Sequence, residues 1–243
     1  MPLVEGRASN TVRRLPLTSM AEDPLMDRTR QLSAAARGDA DPSAWFEQLY
    51  AAARSGAALV PWDRGGPHPL LLQWIARERP DGEGHRALVV GSGLGDDAEE
   101  IASLSYDTVA FDVSATAIAT SLERHPGSAV EYTVADLFAL PAQWRESFDL
   151  VYECLTVQSL PESLRADAML AVRATVAPGG RLLAIASARE PDEPVADRPP
   201  WPLTREHIEA YAGDSLRTVR IEHVDAGIGP TASMWRALYE RPA

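Results

Sequence analysis

Between Ala87 and Ile185, short apolar runs of strand length alternate with segments whose apolar residues recur at helical spacing. The strand-like runs are Ala87 to Val90, Thr108 to Phe111, Val130 to Val134, Phe148 to Tyr152 and Arg181 to Ile185; the helix-like ones are Asp97 to Ser103, Ala115 to Arg124 and Leu164 to Val176. A chain that inserts a helix between successive strands brings them back parallel, so the pattern predicts an α/β fold with helices on both faces of one sheet. Pro178-Gly179-Gly180 marks where the last of these helices stops and the fifth strand begins. After Ala188 a Pro-rich acidic loop, Glu190 to Pro202, precedes a helix from Thr204 to Ala212. Two apolar runs then follow, Leu216 to Val224 and Met234 to Glu240, close enough in sequence to pair antiparallel at the edge of the sheet.

A length of 243 residues supports one substantial core, and residues 41–243 are expected to form a single domain. Residues 1–40 mix Arg, Pro, Ser and Thr without periodicity and read as a flexible tail. Residues 41–80 carry two amphipathic helices, Ala44 to Ala53 with Ser43 available as N-cap and Leu70 to Arg79, joined through Pro61-Trp62-Asp63-Arg64-Gly65-Gly66-Pro67-His68-Pro69. A net charge of −12 with no basic cluster argues against nucleic acid as a partner. Cys154 is the only cysteine, which rules out an internal disulfide and argues against a zinc site; no metal ligand set is expected. Lysine is absent, and Schiff-base chemistry with it. No apolar stretch is long enough for a bilayer and no signal-peptide order is visible, so a cytoplasmic protein without a membrane partner is expected. Oligomeric state leaves no trace in the sequence.

The first strand ends in Gly91-Ser92-Gly93-Leu94-Gly95, followed at once by Asp96, Asp97, Glu99 and Glu100. Glycines let backbone approach a ligand closely, and a Gly-rich turn between strand and helix is a nucleotide cradle. A dinucleotide site would place a glycine where Asp96 stands, and two carboxylates there repel a pyrophosphate. They tolerate a ligand without phosphate and with a cationic centre, such as the sulfonium of S-adenosylmethionine. The competing reading is that the four carboxylates complement the helix dipole.

Asp112 closes the second strand about twenty residues on, where a carboxylate can accept hydrogen bonds from both ribose hydroxyls; Val113 follows it and Ser114 caps the next helix. Asp136 ends the third strand, placed to take the exocyclic amine of an adenine over an apolar floor of Leu137 and Phe138, or else to serve as an N-cap. The end of the fourth strand puts Glu153, Thr156 and Gln158 where open α/β sheets meet their ligands. Cys154, with nothing nearby in sequence to acidify it, reads as packing rather than as a nucleophile.

Together these residues resemble the class I S-adenosylmethionine-dependent methyltransferases over roughly Ala44 to Pro242: Gly91, Gly93 and Gly95 match the glycine motif and Asp112 the acidic residue ending the second strand. The resemblance implies a Rossmann-like, seven-stranded, mostly parallel sheet with one antiparallel edge strand, Met234 to Glu240 looking like the last strand, and S-adenosyl-L-methionine as cofactor. It also implies that Trp62, Gly91, Ser92, Gly93, Gly95, Asp97, Asp112, Val113, Asp136, Leu137, Phe138 and Glu153 contact it. Pro61 to Gly65 with Pro67 and Pro69 look like the tryptophan loop of the thiopurine, halide and thiol methyltransferase branch, in which that loop covers the methyl donor and shapes the acceptor pocket. Ser92 departs from the cysteine many relatives carry.

The expected activity is methyl transfer to a heteroatom of a small molecule. Transfer from a sulfonium is an in-line displacement that an enzyme promotes by alignment and exclusion of water, a general base being optional. His68 is the candidate base, although a lone histidine in a Pro-rich loop is more often structural. Tyr50, Gln158 and Trp201 are candidates for the acceptor pocket, with the Glu190 to Pro202 loop as a lid. The alternatives are a protein that binds the donor without transfer chemistry and a methyltransferase acting on a macromolecule. Against nucleic-acid methylation, Glu153-Cys154-Leu155-Thr156 stands where an Asn-Pro-Pro-Tyr or Asp-Pro-Pro-Tyr motif would; against an NAD-dependent dehydrogenase stands Asp96.

Overall fold

Residues 87 to 90 show why the sheet is buried on both sides: Leu88 and Val90 enter one apolar cluster, Ala87 and Val89 the other, and all four are at most 2 % exposed. Alternation with both faces apolar is the signature of a central parallel strand. The computed structural model describes residues 24–35, 43–195, 199–225 and 233–243. Its elements run α1 (Pro24–Ala35), α2 (Ala44–Arg54), α3 (Pro69–Glu78), β1 (Arg86–Val90), α4 (Asp96–Ala102), β2 (Asp107–Asp112), α5 (Ala115–Arg124), β3 (Glu131–Val134), β4 (Phe148–Cys154), α6 (Glu162–Thr175), β5 (Val176–Ser187), α7 (Arg205–Glu209), β6 (Arg217–Asp225) and β7 (Ser233–Glu240).

The seven strands form one sheet in the order β3-β2-β1-β4-β5-β7-β6. The pairs from β3 through β5 are parallel, and β7 runs antiparallel to both of its neighbours. The antiparallel strand therefore lies one place in from the edge, with β6 outside it. On one face α6 and α7 pack through Ala168, Met169, Val172 and Ile208; on the other α3 and α4 pack through Leu70, Leu71, Trp74 and Ile101. Strand order reverses between β1 and β4, and the crevice at such a switch point is where these sheets take ligands.

Three local features differ from the sequence reading. Helix α1 lies inside the stretch read as tail: Leu32 packs with Trp45, Leu49 and Ala58, and the Thr29 hydroxyl donates to the Leu59 carbonyl at 2.6 Å. The rest of that stretch, residues 196–198 within the Pro-rich loop and residues 226–232 between β6 and β7 fall outside the described residues. Pro178-Gly179-Gly180 sits within β5, not ahead of it, because the chain leaves α6 directly into pairing with Phe148 and absorbs the extra residues as a register shift between Phe148 and Leu150. Helix α7 is shorter than expected, closed at its start by Thr204 and His207, whose side chains and backbone N–H groups bond each other reciprocally.

Candidate active site

At the carboxyl ends of β1, β2 and β4 lies a cleft of about 1160 Å³, its open mouth included. Its floor is the glycine turn. Gly91 and Gly93 have φ of 61° and 55°, and a Cβ at Gly91 would stand 2.4 Å from Thr156 Oγ1, so neither position accepts a side chain. Three of the turn's amides are already engaged: Ser92 N–H donates to the Phe111 carbonyl, Gly93 N–H to Asp112 Oδ2 and Gly95 N–H to the Ser92 carbonyl. A phosphate cradle needs such N–H groups free. With Asp96 and Asp97 also lining the cleft, this turn suits a ligand without phosphate.

Asp112 faces the cleft while almost wholly buried, 6 % exposed. Burial pushes its carboxyl up to about 6, against the N–H groups of Ser114 and Gly93 that donate to it at 2.9 Å and favour the charged form. Each of its oxygens accepts one of these bonds and retains a second acceptor position. Val113, Asp136, Leu137 and Phe138 continue the same wall. Asp136 caps the short 3-10 turn Leu137–Ala139 by accepting from Phe138 N–H, and so takes the capping role while also lining the cleft.

The cover comes from α2 and the tryptophan loop. Trp62 donates its indole N–H to the Tyr50 hydroxyl at 2.8 Å, and its ring meets Trp45, Phe46 and Tyr50 edge-on at 6.0 to 6.2 Å between centroids. Asp63 accepts two hydrogen bonds from Arg124 of α5, which moors the loop to the domain. Glu47 fastens α2 to the start of α5, accepting from Ser114 Oγ and Thr116 N–H. Phe46, absent from the sequence reading, lines the cleft; it stands four residues before Tyr50, hence on the same helix face.

His68 lines the cleft but is unsuited to act as the expected base. Its Nδ1 accepts from Leu70 N–H at 3.1 Å as the N-cap of α3, which leaves the proton on Nε2. Burial, with Arg64 adding to it, lowers its pKa to about 3. A group that weakly basic removes few protons near neutrality, and the residue serves instead to anchor the loop. The backbone N–H of His68 donates to Asp97 Oδ1 at 2.6 Å, and the Tyr152 hydroxyl donates to Asp97 Oδ2 at 2.9 Å, so this carboxylate is a structural hub that also borders the cavity. Cys154 lines the cleft with its thiol pushed up by burial and by Asp97, in keeping with packing rather than nucleophilic attack.

Glu153 does not line the cleft. Tyr152 and Cys154 occupy one face of β4 and Glu153, by strand alternation, the other; there it is fully buried, accepting from Thr156 N–H, Val157 N–H and the Tyr211 hydroxyl. Gln158 is likewise buried away from it, its Oε1 accepting from Ser187 N–H. Trp201 borders a separate pocket with Arg165, Arg189 and His207. The sequence reading missed Tyr152, Ser159 and Leu160, which take the places on the cleft wall that Glu153 and Gln158 were expected to hold.

Fold and cleft agree with the comparisons. Residues 87–180 match the family model described as a methyltransferase domain, and the comparisons support a class I S-adenosylmethionine-dependent methyltransferase with S-adenosylmethionine as methyl donor. It is similar to a probable thiol methyltransferase 2 of Arabidopsis thaliana, 25 % identical over 185 residues that cover 73 % of this chain and 78 % of the relative. Among solved structures it resembles the one described for conversion of a disulfide bond into a thioacetal group during echinomycin biosynthesis, with TM-score 0.65, 21 % identity and coverage of 81 % of this chain and 93 % of that one. It also resembles the 1,6-didemethyltoxoflavin-N1-methyltransferase of Burkholderia thailandensis, solved with 1,6-didemethyltoxoflavin and S-adenosylhomocysteine, with TM-score 0.62, 15 % identity and coverage of 90 % and 91 %.

Proposed function

We propose that this methyltransferase acts on the heteroatom of a small molecule, and that its acceptor is a soft nucleophile of the thiol class. The engagement of the cleft's titratable groups carries this reading, Asp112 with its remaining acceptor positions being the one reserved for the donor's ribose. Every carboxylate lining it already has partners: Asp63 is paired with Arg124, Asp96 faces Arg124 and His125, Asp97 holds His68 N–H and Tyr152, Asp112 two amides and Asp136 one. His68 is too weakly basic. A phenol or ammonium group would arrive with its proton still on, whereas a thiol supplies its own thiolate near neutral pH. The Arabidopsis relative named as a probable thiol methyltransferase supports the same class.

The cleft joins the glycine turn and the wall from Asp112 to Phe138 on one side to Tyr50, Trp62 and Phe46 on the other, so a donor on the turn would lie next to an aromatic-lined space for a small acceptor. When bound, S-adenosylmethionine supplies an electrophilic methyl group. The residues suited to hold it are Gly91, Ser92, Gly93 and Gly95 under it, Asp112 toward the ribose, Val113, Leu137 and Phe138 around the adenine, Asp136 toward its amine, and Trp62 over it. Ser92 Oγ, buried and without a hydrogen-bond partner, is a group that such a ligand would satisfy. Tyr50, Trp62 and Phe46 exclude water where the nucleophile must align.

The test is release of S-adenosylhomocysteine with a panel of thiols, phenols, amines and halides. Thiols are expected to turn over fastest, with kcat/KM rising toward the thiol's own pKa, and H68Q is expected to keep the rate within a few-fold. Preference for phenols or amines, or an essential enzyme group titrating near 6 to 7 and abolished in H68Q, would overturn the reading.

A further inference from the structure

A second pocket, of about 430 Å³, opens between the start of α6 and the segment joining β5 to α7. It is walled by Arg165, Arg189, His207, Trp201 and Pro202, with Glu162 at its rim. Arg165 is 7 % exposed; its Nε donates to the Leu160 carbonyl at 3.1 Å and its guanidinium lies 5.6 Å from the Trp201 ring centre. Arg189 uses Nη1 on the carbonyls of Glu190, Pro191 and Glu193, while its buried Nε has no hydrogen-bond partner. His207 Nε2 stands 3.9 Å from Glu162, a carboxylate whose side chain is 82 % exposed. Among the described residues no carboxylate lies within ion-pair distance of Arg165 or Arg189.

Two guanidinium groups and an imidazole thus converge on one small pocket in a protein of net charge −12, and the local charge is of the opposite sign to the molecule's. A buried cation without a counter-charge is costly, and adjacent cations add repulsion. Burial lowers the pKa of Arg165, and Arg189 pushes in the same direction while Glu162 opposes it. An oxyanion in the pocket would relieve all of this at once. The planar fork of Arg matches carboxylate and phosphate oxygens, and the unpartnered Arg189 Nε supplies a donor already desolvated. The Trp201 face beside it offers apolar surface for the remainder of an organic anion.

We propose that this pocket binds the oxyanion, carboxylate or phosphate, of a small molecule, gripped by Arg165 and Arg189 and flanked by Trp201. The pocket shares no lining residue with the donor cleft, whose Leu160 only accepts from Arg165 Nε, so the proposal does not depend on which nucleophile is methylated.

Calorimetric titration of the full chain with benzoate, inorganic phosphate and the neutral isostere benzamide tests this. Saturable binding of at least one anion is expected, with benzamide silent; benzoate bound more tightly than phosphate assigns an organic carboxylate, and the reverse assigns a phosphate. R189Q is expected to weaken binding about ten-fold or more while keeping the wild-type affinity for S-adenosylhomocysteine, and R165K, which retains the charge, to weaken it less. Saturation with S-adenosylhomocysteine is expected to leave anion binding in place. No saturable binding at tens of millimolar, binding unchanged in R189Q, or displacement of the anion by S-adenosylhomocysteine would overturn the proposal.

Discussion

Single side chains in this enzyme act through what they already hold. Gly93 shows it most simply, because a methyl there would meet the Tyr50 hydroxyl at 2.9 Å with the backbone at φ 55°. G93A is therefore expected to lower affinity for S-adenosylhomocysteine by about ten-fold or more in calorimetry while leaving the fold intact. Two buried carboxyls give the protein a pH signature. Burial raises Asp112 to about 6 and Glu153 to about 7, so each binds its proton more tightly folded than unfolded. Their contribution to stability is fully present below the ordinary carboxylate range and is lost as pH rises through about 6 and about 7, to the extent of about 3 kcal/mol each. Melting temperature is expected to fall between pH 5 and pH 8, and E153Q, whose amide can still accept from Thr156 and Val157, to flatten that fall by several degrees. Asp112 was legible in the sequence because its position depends on the local strand and turn. Glu153 was misplaced because which face a strand residue takes is decided by a one-residue parity that a strand's carboxyl end does not reveal.

At the scale of elements, the parallel sheet was readable because β1, β2 and β4 carry apolar runs and β3 the β-branched and aromatic residues of a strand, and five of the seven strand positions follow from their alternation with helices. Helix α1 was not, since a 12-residue segment with little amphipathicity is held by tertiary contact, Thr29 to Leu59 and Leu32 to Trp45, rather than by its own pattern. The cover formed by α2 and the tryptophan loop is fastened by side chains far apart in sequence, Glu47 to Ser114 and Thr116, Asp63 to Arg124. Periodicity cannot report such fastenings. E47A is expected to loosen α2 from α5, raising the dissociation constant of S-adenosylhomocysteine about five-fold and speeding proteolysis near Arg54 without lowering the protection of the central strands in hydrogen exchange. W62A, which removes the ring that meets Trp45, Phe46 and Tyr50, is expected to cost about 2 kcal/mol in stability and to weaken donor binding more than E47A does, measured by denaturant unfolding and calorimetry.

Taken as a whole, the molecule joins one continuous sheet to a cleft at its strand ends, so ligand binding and global stability are linked. S-adenosylhomocysteine at a hundred times its dissociation constant is expected to add about 2.7 kcal/mol. For a chain of this length that is a rise of roughly 5–10 °C in melting temperature. NAD at the same concentration is expected to leave the melting temperature unchanged, because three of the turn's amides are engaged and Asp96 and Asp97 face the cleft. Whole-molecule topology also sets a timetable for synthesis. Strand β7 follows β6 in the chain yet slots between β5 and β6 and bonds to both. Until Ser233 to Glu240 has been made, β5 presents an open edge and β6 has no neighbour to join, so the nascent chain waits with a template for self-association exposed. A chain cut short just before Ser233 would thus lose two strands rather than one, and would keep that exposed edge for good.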